Sequence, residues 1–510
     1  MPVPALRYCT GLYRMRVVSI DIGTTNIKSA LIEFNESEKV LRIAEARNIP
    51  QQAISDGVIH EHSPRYIVDR VLEELKHYAS TYRGIDAVIF STYLFSQVLV
   101  DEAGEPITNI VTWLDRRTEK VIHRVVGIAR LVYERTGCPP LTIYNLPKIL
   151  YLSEHHRELL RRAKLILDAK SFLMLRLTGE AVTDLSTASG TYQMLNIWSL
   201  KWDSDILAIA GVDEGKLPML AEADHKLMLR HSVAREVGLD PSTPIVLGLY
   251  DGGSMIFGLG GGRDGVAVVN MGTSSMLRVI GRKPVIDRSD RMSIQTYYLY
   301  KGMWIPGLAW SNCGVVLEKI AQILGMDTGS TIDLLTKLSV EDFIALSPPV
   351  TVPLLYPERV PSLSFEIGVA VMGIRPEHSK QHIIASALEG VILPLKYASD
   401  AIESSGLSYS VAVCGGKVLS IPLAKKLLAT ALSKTIMISE YPDATHFGNT
   451  LMALKALGTL TDRDVAEISK GIVREVIEPE PRLSNRISFA YRIFKAYLDT
   501  MVQHFRVQLQ

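Results

Sequence analysis

The sequence predicts an α/β protein that is built from two related halves. Apolar, strand-like segments such as VVSIDIG and DAVIFS alternate with helical segments along most of the chain, which is typical of α/β architecture. The segment at 17–28 aligns without gaps with the segment at 266–277. Because a chain of 510 residues is longer than a domain with a single hydrophobic core usually is, we expect two domains.

The first half begins with two strands, at 17–23 and 28–34, that are joined by a short turn. Residues 66–80 are predicted to form a helix, because their apolar residues recur at helical spacing: Ile67, Val68, Val71, Leu72 and Leu75. The other elements expected in this half are a buried strand at 86–91, helices at 115–136 and 146–163, and a buried strand at 243–249.

The second half repeats this scheme. A strand at 266–272 opens it, and a strand at 411–416 ends in two glycines and leads into a helix at 422–432. Further helices are expected near 314–325 and 379–405. Each half therefore opens with the same unit of strand, turn and strand.

Composition and charge exclude several classes of protein. The chain has 55 Lys and Arg residues and 54 Asp and Glu residues. This balance argues against a protein that binds nucleic acid or anionic membranes. No uncharged apolar run reaches the roughly 18 residues of a membrane span. The scattered cysteines, Cys9, Cys138, Cys313 and Cys414, favour neither zinc nor disulfides and fit a reducing cytoplasm. Residues 1–14 are interpreted as a disordered tail or an over-long start.

The two matching turns are suited to binding phosphate. Gly23 lets the backbone approach an anion closely, successive N–H groups form an anion-binding concavity, and Thr24 and Thr25 add neutral donors. Lys28 adds positive charge nearby. Asp21 is interpreted as a Mg²⁺ ligand, since Mg²⁺ takes one or two carboxylates. One such turn alone would equally be a plain hairpin. The second copy, with Gly272 and Thr273, favours a pair of phosphate loops.

Six segments, taken in order, resemble the FGGY carbohydrate kinases of the actin-like ATPase superfamily. They are DIGTTNIK (21–28), TWLDRRTE (112–119), DLSTASGTYQMLNIWSLKWDSDIL (184–207), GLYDGG (248–253), NMGTSS (270–275) and VAVCGG (411–416). A weaker seventh segment spans 356–374. The resemblance implies two actin-like (ribonuclease H-like) domains, at 15–247 and 248–510, with the nucleotide and substrate cleft between them.

The resemblance also implies a kinase that uses ATP and Mg²⁺ to phosphorylate a small sugar, polyol or sugar acid. Asp251 would accept the proton of the attacking hydroxyl, although Asp-Gly on its own is a common turn signal. Asp21 would organise Mg²⁺. The residues implied on the nucleotide side are Gly23, Thr24, Thr25, Lys28, Gly272, Thr273, Gly314, Gly415, Gly416 and Ser420.

On the substrate side, the resemblance implies that Trp113 and Asp115 orient the sugar. Thr112 and Asp115 also fit a capping box that would open a helix at residue 116, and both interpretations stay open. Xylulose and gluconate kinases usually carry a Met-His pair where this chain has Leu94 and Phe95. The resemblance favours gluconate or xylulose as the substrate, with glycerol next.

Two other functions are compatible with these motifs. One is an actin-like ATPase that couples its nucleotide state to a protein partner, and the other is a kinase-like protein that has lost its activity. The substrate motifs speak against the first, and the presence of Asp21 and Asp251 speaks against the second. We expect a cytoplasmic enzyme without nucleic-acid or membrane partners. A homodimer is compatible with the resemblance, since family members often form dimers or tetramers.

Overall fold

The computed structural model describes residues 14–441 and 443–508. In chain order the first half contains β1 (Arg14–Ile22), β2 (Asn26–Asn35), β3 (Val40–Pro50), β4 (Ala53–Ser55), β5 (His60–His62), α1 (Pro64–Thr81), β6 (Ala87–Thr92), β7 (Val98–Val100), β8 (Ile110–Val111), α2 (Ile122–Val126), α3 (Ala129–Thr136), α4 (Asn145–His155), α5 (Arg157–Arg162), β9 (Leu165–Leu167), α6 (Ala169–Thr178), β10 (Val182–Asp184), α7 (Leu185–Thr191), β11 (Leu195–Asn196), β12 (Lys201–Trp202), α8 (Ser204–Ala210), β13 (Met219–Ala221), β14 (Lys226–Met228), α9 (His231–Val237) and β15 (Pro244–Val246).

The second half contains α10 (Asp251–Gly260), β16 (Val266–Met271), β17 (Ser275–Val279), β18 (Gln295–Tyr298), β19 (Trp304–Trp310), α11 (Gly314–Ile323), α12 (Thr328–Lys337), α13 (Val340–Leu346), β20 (Val350–Val352), β21 (Ala370–Met372), α14 (Lys380–Gly390), α15 (Leu393–Ser404), β22 (Val411–Gly415), α16 (Pro422–Leu432), β23 (Thr435–Ser439), α17 (Ala444–Ala456), α18 (Asp462–Gly471), β24 (Val473–Ile477) and α19 (Ser484–Gln508). None of the helices in the described residues is long and apolar enough to cross a membrane.

The strand–turn–strand repeat occupies the same place in two separate sheets. The first sheet has the order β14-β15-β6-β1-β2-β3, and the second has the order β18-β19-β17-β16-β22-β23-β24. In the first sheet β1 pairs antiparallel with β2 and parallel with β6. In the second sheet β16 pairs antiparallel with β17 and parallel with β22. The predicted relation between the two halves is therefore confirmed at the level of topology.

Two helices, α10 and α17, pack between the sheets and join the halves. Phe257 of α10 and Phe447 of α17 belong to one buried apolar cluster that also contains Val17 of the first sheet and Val268 of the second. The burial of this cluster stabilises the association of the halves, because apolar surface is removed from water on both sides of the helix pair. The two sheets, one from each half of the chain, thus share a core through these two helices.

The structure corrects several of the predicted elements. The helix predicted at 115–136 is divided into a 3₁₀ turn at Arg117–Lys120, α2 and α3. The helix predicted at 146–163 is interrupted at His156, which lies between the end of α4 and the start of α5 at Arg157. The strand predicted at 243–249 is limited to β15. The prediction for residues 1–14 lies outside the described residues except at Arg14, which begins β1.

The close packing of α10 on α17 predicts a strong effect of one methyl group. A Cβ atom placed on Gly448 would lie 1.7 Å from the backbone oxygen of Ser254. We expect Gly448→Ala to destabilise the protein by about 3 kcal/mol, because two backbones would have to separate. The measurement is the midpoint of thermal unfolding.

Gly471→Ala is the matched control for this substitution. Gly471 is also a helical glycine, and a Cβ atom there would meet no described atom within 4 Å. Its replacement should leave the midpoint unchanged or raise it slightly, because alanine favours the helix. Equal midpoints for the two variants would contradict the close helix contact.

Candidate active site

The two hairpin turns join β1 to β2 in the first sheet and β16 to β17 in the second. In the first turn the N–H of Gly23 donates to the oxygen of Asn26 at 2.8 Å, and a Cβ on Gly23 would lie 2.8 Å from that same oxygen. In the second turn the N–H of Gly272 donates to Ser274 at 2.9 Å. Thr25 and Thr273 are exposed at the tips. Each turn therefore presents backbone and hydroxyl groups to solvent, as a phosphate loop must.

Two further glycines hold neighbouring elements against the second turn. The N–H of Gly314, at the start of α11, donates to the oxygen of Gly272 at 2.9 Å, and a Cβ on Gly314 would approach that oxygen to 2.7 Å. Gly416 follows β22 with φ 110°, and a Cβ there would lie 2.4 Å from the oxygen of Met271. Only glycine permits both contacts.

A cavity of about 690 Å³ opens beside this second turn. Of the residues predicted on the nucleotide side, those that line it are Lys28, Gly272, Thr273, Gly314, Gly415, Gly416 and Ser420. Gly23, Thr24 and Thr25 do not line it. The cavity also has an apolar wall that the sequence did not predict, with Leu317, Ile332, Leu335, Ile421 and Tyr441. A cavity with one apolar wall and one turn rich in N–H groups suits an adenine base and its phosphates.

Asp21 and Asp251 lie close to one another although they come from different halves. Asp21 ends β1 and Asp251 begins α10. Burial and, after it, the negative charge of Asp251 raise the pKa of Asp21 to about 6, against the lowering effect of the Ser91 hydroxyl. Burial also raises the pKa of Asp251, while the Gly252 N–H opposes that rise. Two neighbouring carboxylates in a buried site favour binding of a cation or a proton.

The carboxylates fit a magnesium ion better than a metal with a full set of protein ligands. The described residues contain no group of three or more His, Cys, Asp and Glu side chains that could hold a metal. Mg²⁺ needs only one or two carboxylates, since water and phosphate oxygens complete its octahedral coordination. Asp21 offers a hard oxygen ligand next to the cavity, and one of its oxygens is already oriented by Ser91 at 2.7 Å.

Lys28 reaches across the boundary between the halves. Its Nζ lies 3.0 Å from Oδ2 of Asp443, which caps the N-terminus of α17. Asp443 also lines the cavity. The ammonium group is thus held at the cavity by a residue of the second half, and the position of Lys28 depends on how the two halves meet.

Trp113 lies between the first turn and an arginine that sequence reasoning missed. Its Nε1 donates to Oγ1 of Thr24 at 3.0 Å, and the guanidinium of Arg359 lies 4.8 Å from the centre of its ring. The positive charge of Arg359 also lowers the pKa of Asp251. Arg359 belongs to the segment at 356–374, where a single charged residue in a loop gives no signal that it will lie beside a distant aspartate.

Glu358 fixes the loop that carries this arginine. Its carboxylate accepts hydrogen bonds from the N–H of Ser311 and from Nδ2 of Asn312, both at 2.6 Å. Ser311 and Asn312 immediately precede the start of α11 at Gly314. The loop with Arg359 is therefore tied to the same segment that packs on the second turn.

Leu94 and Phe95 form part of an apolar and aromatic wall. Both side chains are buried, and the Phe95 ring lies edge-on to Tyr144 at 5.3 Å. Phe95 has φ 65°, which is unusual for a residue with a side chain. Its N–H donates to Oγ1 of Thr191 at 3.2 Å, and its oxygen accepts from Nζ of Lys148. These bonds hold the strained backbone in place.

Asp115 is held by hydrogen bonds to other residues of the first half. Its oxygens accept from the N–H of His60 at 3.0 Å and from Nε and Nη2 of Arg117 at 2.9 and 2.8 Å. It lines a separate cavity, of about 250 Å³, that Trp113 does not line. The predicted contact with the sugar finds no support in this geometry. The predicted capping box is wrong, because Oγ1 of Thr112 accepts from Leu114 instead and no side chain caps the 3₁₀ turn.

This geometry predicts that Asp115→Ala changes stability rather than substrate binding. We expect a loss of about 2 kcal/mol, because the half-buried Arg117 loses one of its two carboxylate partners and keeps Glu61. The KM for the sugar should stay that of the wild type. Asp205→Ala is the control, since the Asp205 side chain is 61% exposed in its ion pair with Arg135 and should matter little. A higher KM with unchanged thermal stability would restore the predicted sugar contact.

Comparisons with known proteins identify the family. Residues 16–258 match the N-terminal domain of the FGGY family of carbohydrate kinases, and residues 267–457 match its C-terminal domain. The gluconokinase of Bacillus subtilis (strain 168) is 28% identical over 468 residues, which cover 88% of this chain and 89% of the relative. The xylulose kinase of Streptomyces rubiginosus is 24% identical over 487 residues, which cover 92% and 95%.

Solved structures confirm the predicted two-domain, actin-like fold. Gluconate kinase from Lactobacillus acidophilus superposes with a TM-score of 0.86 at 23% identity and covers 96% of this chain and 99% of that one. Plasmodium falciparum glycerol kinase with ADP superposes with a TM-score of 0.83 at 19% identity, covering 95% and 98%. The chain belongs to the FGGY family of carbohydrate kinases, which are phosphotransferases that act on an alcohol group.

Proposed function

We propose that this protein transfers the γ-phosphoryl group of ATP to a hydroxyl group of a small sugar or sugar acid, with gluconate or xylulose as the favoured substrates and glycerol next. The observation that carries the proposal is the position of Asp251. This residue lies at the junction of the halves and close to Asp21. The charge of Arg359, whose guanidinium lies over the ring of Trp113, lowers the pKa of Asp251. The names of the relatives, gluconokinase and xylulose kinase, support the same class of substrate.

In this proposal the nucleotide lies in the cavity beside the second turn. The backbone N–H groups around Gly272 and the hydroxyls of Thr24, Thr25 and Thr273 hold the phosphates. Lys28 adds a positive charge that Asp443 keeps at the edge of the cavity. The adenosine is bordered by Gly314, Gly415, Gly416 and Ser420.

Asp251 accepts the proton as the substrate oxygen attacks the γ-phosphorus in line. The Gly252 N–H, 2.6 Å from Oδ1 of Asp251, and the charge of Arg359 favour its ionised form against the effect of burial. Asp21 would hold Mg²⁺, which, when bound, neutralises charge on the phosphate oxygens. Closure of the halves around the substrate would exclude water, which competes as an acceptor.

The substrate lies against Trp113, Leu94, Phe95 and Arg359 in this proposal. The aromatic side chains cover the C–H faces of a sugar, whereas the guanidinium is suited to a carboxylate. This cation therefore supports gluconate ahead of xylulose. A cation against the ring of Trp113 would have little use in a protein that only hydrolyses ATP.

A panel of sugars, polyols and sugar acids with ATP tests the reaction. We expect ADP release that depends on the acceptor. Asp251→Asn should lower kcat by a factor of roughly 10²–10⁴, because the general base is lost, while ADP still binds. The exposed Asp240 in a turn of the first half provides the control variant, Asp240→Asn, which should keep full activity. Hydrolysis of ATP that ignores every acceptor would favour an actin-like ATPase and contradict the proposal.

The raised pKa values predict the pH dependence of kcat/KM. An ordinary aspartate would be ionised well below pH 5, but burial and the charge of Asp251 raise the pKa of Asp21 to about 6, and burial raises the pKa of Asp251 as well. Asp21 must be ionised to hold Mg²⁺ and Asp251 must be ionised to accept the proton. We therefore expect kcat/KM to fall as the pH decreases through about 6, the pKa of Asp21.

Arg359→Gln should move this fall to higher pH, because the arginine charge lowers the pKa of Asp251. A profile that stays flat down to pH 5 in the wild type would contradict the coupled pair of carboxylates. A fall at the same pH in both proteins would contradict the influence of Arg359.

A further inference from the structure

A buried hydrogen-bond network joins α17 to the Asp21 carboxylate and to α10, the helix that begins with Asp251. Its members are Ser19 of β1, Ser91 of β6, Ser254 of α10, and His446 and Asn449 of α17. The three serines and Asn449 are fully buried, and His446 is 3% exposed. A buried polar side chain is costly unless it finds partners, so the satisfied network fixes the relative positions of four elements.

Asn449 is the centre of this network. Its Nδ2 donates to Oγ of Ser19 at 3.0 Å and to Oγ of Ser91 at 2.9 Å. Its Oδ1 accepts from Oγ of Ser254 at 2.6 Å. One amide of the second half therefore contacts both strands around Asp21 and the helix that begins with Asp251.

The hydrogen bond from Ser91 to Asp21 determines which way this amide faces. Oγ of Ser91 gives its single hydrogen to Oδ1 of Asp21 at 2.7 Å. It can then only accept from Asn449, so the NH₂ group must face it and the carbonyl must face Ser254. Reversing the amide would set two acceptors against each other at Ser91.

His446 also belongs to this network. Oγ of Ser19 accepts from Nδ2 of Asn449 and lies 2.8 Å from Nδ1 of His446, within hydrogen-bond distance. Burial lowers the pKa of His446 and so favours its neutral ring.

We propose that Asn449 is a positioning residue, which orients Asp21 through Ser91 and holds α10, with Asp251, at a fixed distance through Ser254. This inference rests on the proposed function. The closest backbone contact of the helix pair, between Gly448 and Ser254, lies next to the amide and makes the coupling rigid. Removal of the amide would leave the hydroxyls of Ser91 and Ser254 without these partners and would let the Asp21 carboxylate turn.

The test compares Asn449→Ala with Thr450→Val. Thr450 is the next residue of α17 and is fully buried, but its Oγ1 donates to the oxygen of His446 within the same helix. Thr450→Val thus removes a buried hydroxyl from this helix without touching the network. Both variants are compared with wild type in thermal stability, in steady-state kinetics and in Mn²⁺ binding to the complex with ADP, which is followed by electron paramagnetic resonance.

For Asn449→Ala we expect both the Mn²⁺ affinity and kcat to fall by roughly 10–100-fold, as outer partners of metal ligands do, while the KM for the sugar stays unchanged. Thr450→Val should keep the wild-type Mn²⁺ affinity and kcat. A loss of thermal stability in Asn449→Ala with unchanged Mn²⁺ affinity and kcat would overturn the proposal.

Ser91→Ala is the second variant. It removes only one hydroxyl, so it tests the same link to Asp21 even if Asn449→Ala does not fold. It should reproduce the loss of Mn²⁺ affinity, and adding Asn449→Ala to it should cause little further loss. Full additivity, or wild-type Mn²⁺ affinity in Ser91→Ala, would overturn the proposal. The Mn²⁺ measurement needs no sugar, so a failure to phosphorylate any acceptor refutes the proposed function without deciding this point.

Discussion

The structure depends on bringing two buried carboxylates together at the junction of two domains. Burial and the negative charge of Asp251 raise the pKa of Asp21, and burial raises the pKa of Asp251, so the site costs free energy while both carboxylates are ionised. The site is stable because Ser91, the Gly252 N–H and the charges of Arg359 and Lys170 act against this effect. A divalent cation would relieve the repulsion between the two carboxylates, so the arrangement suits the proposed Mg²⁺.

The features that the sequence predicted are mostly local ones. The two hairpin turns follow from short strands, glycines and hydroxyl residues that are neighbours in the chain, and the structure places them in equivalent sheets. The partners that come from far along the chain could not be predicted. Arg359 reaches Trp113, and Asn449 reaches Ser91, only after the halves have folded together. The hydrogen bond between Asp115 and His60 was not predicted for the same reason, because 55 residues separate the two, and the contact of Asp115 with the sugar stays a prediction.

The proposed function also explains how a chain with almost balanced charge could hold a polyanion. In that proposal the two turns would hold the phosphates with backbone N–H groups and hydroxyls, and Lys28, a charged neighbour, is paired across the junction. The helix pair α10 and α17, with its close glycine contact, holds the two halves together at this junction.

The most direct test of the account is a crystal structure of the protein with a non-hydrolysable ATP analogue, Mg²⁺ and gluconate. The account predicts that the phosphates lie between the turns at Gly23 and Gly272 and that one sugar hydroxyl is about 3 Å from the Asp251 carboxylate, within hydrogen-bond reach. A nucleotide bound outside the cavity, or an Asp251 carboxylate that no sugar hydroxyl approaches, would contradict it.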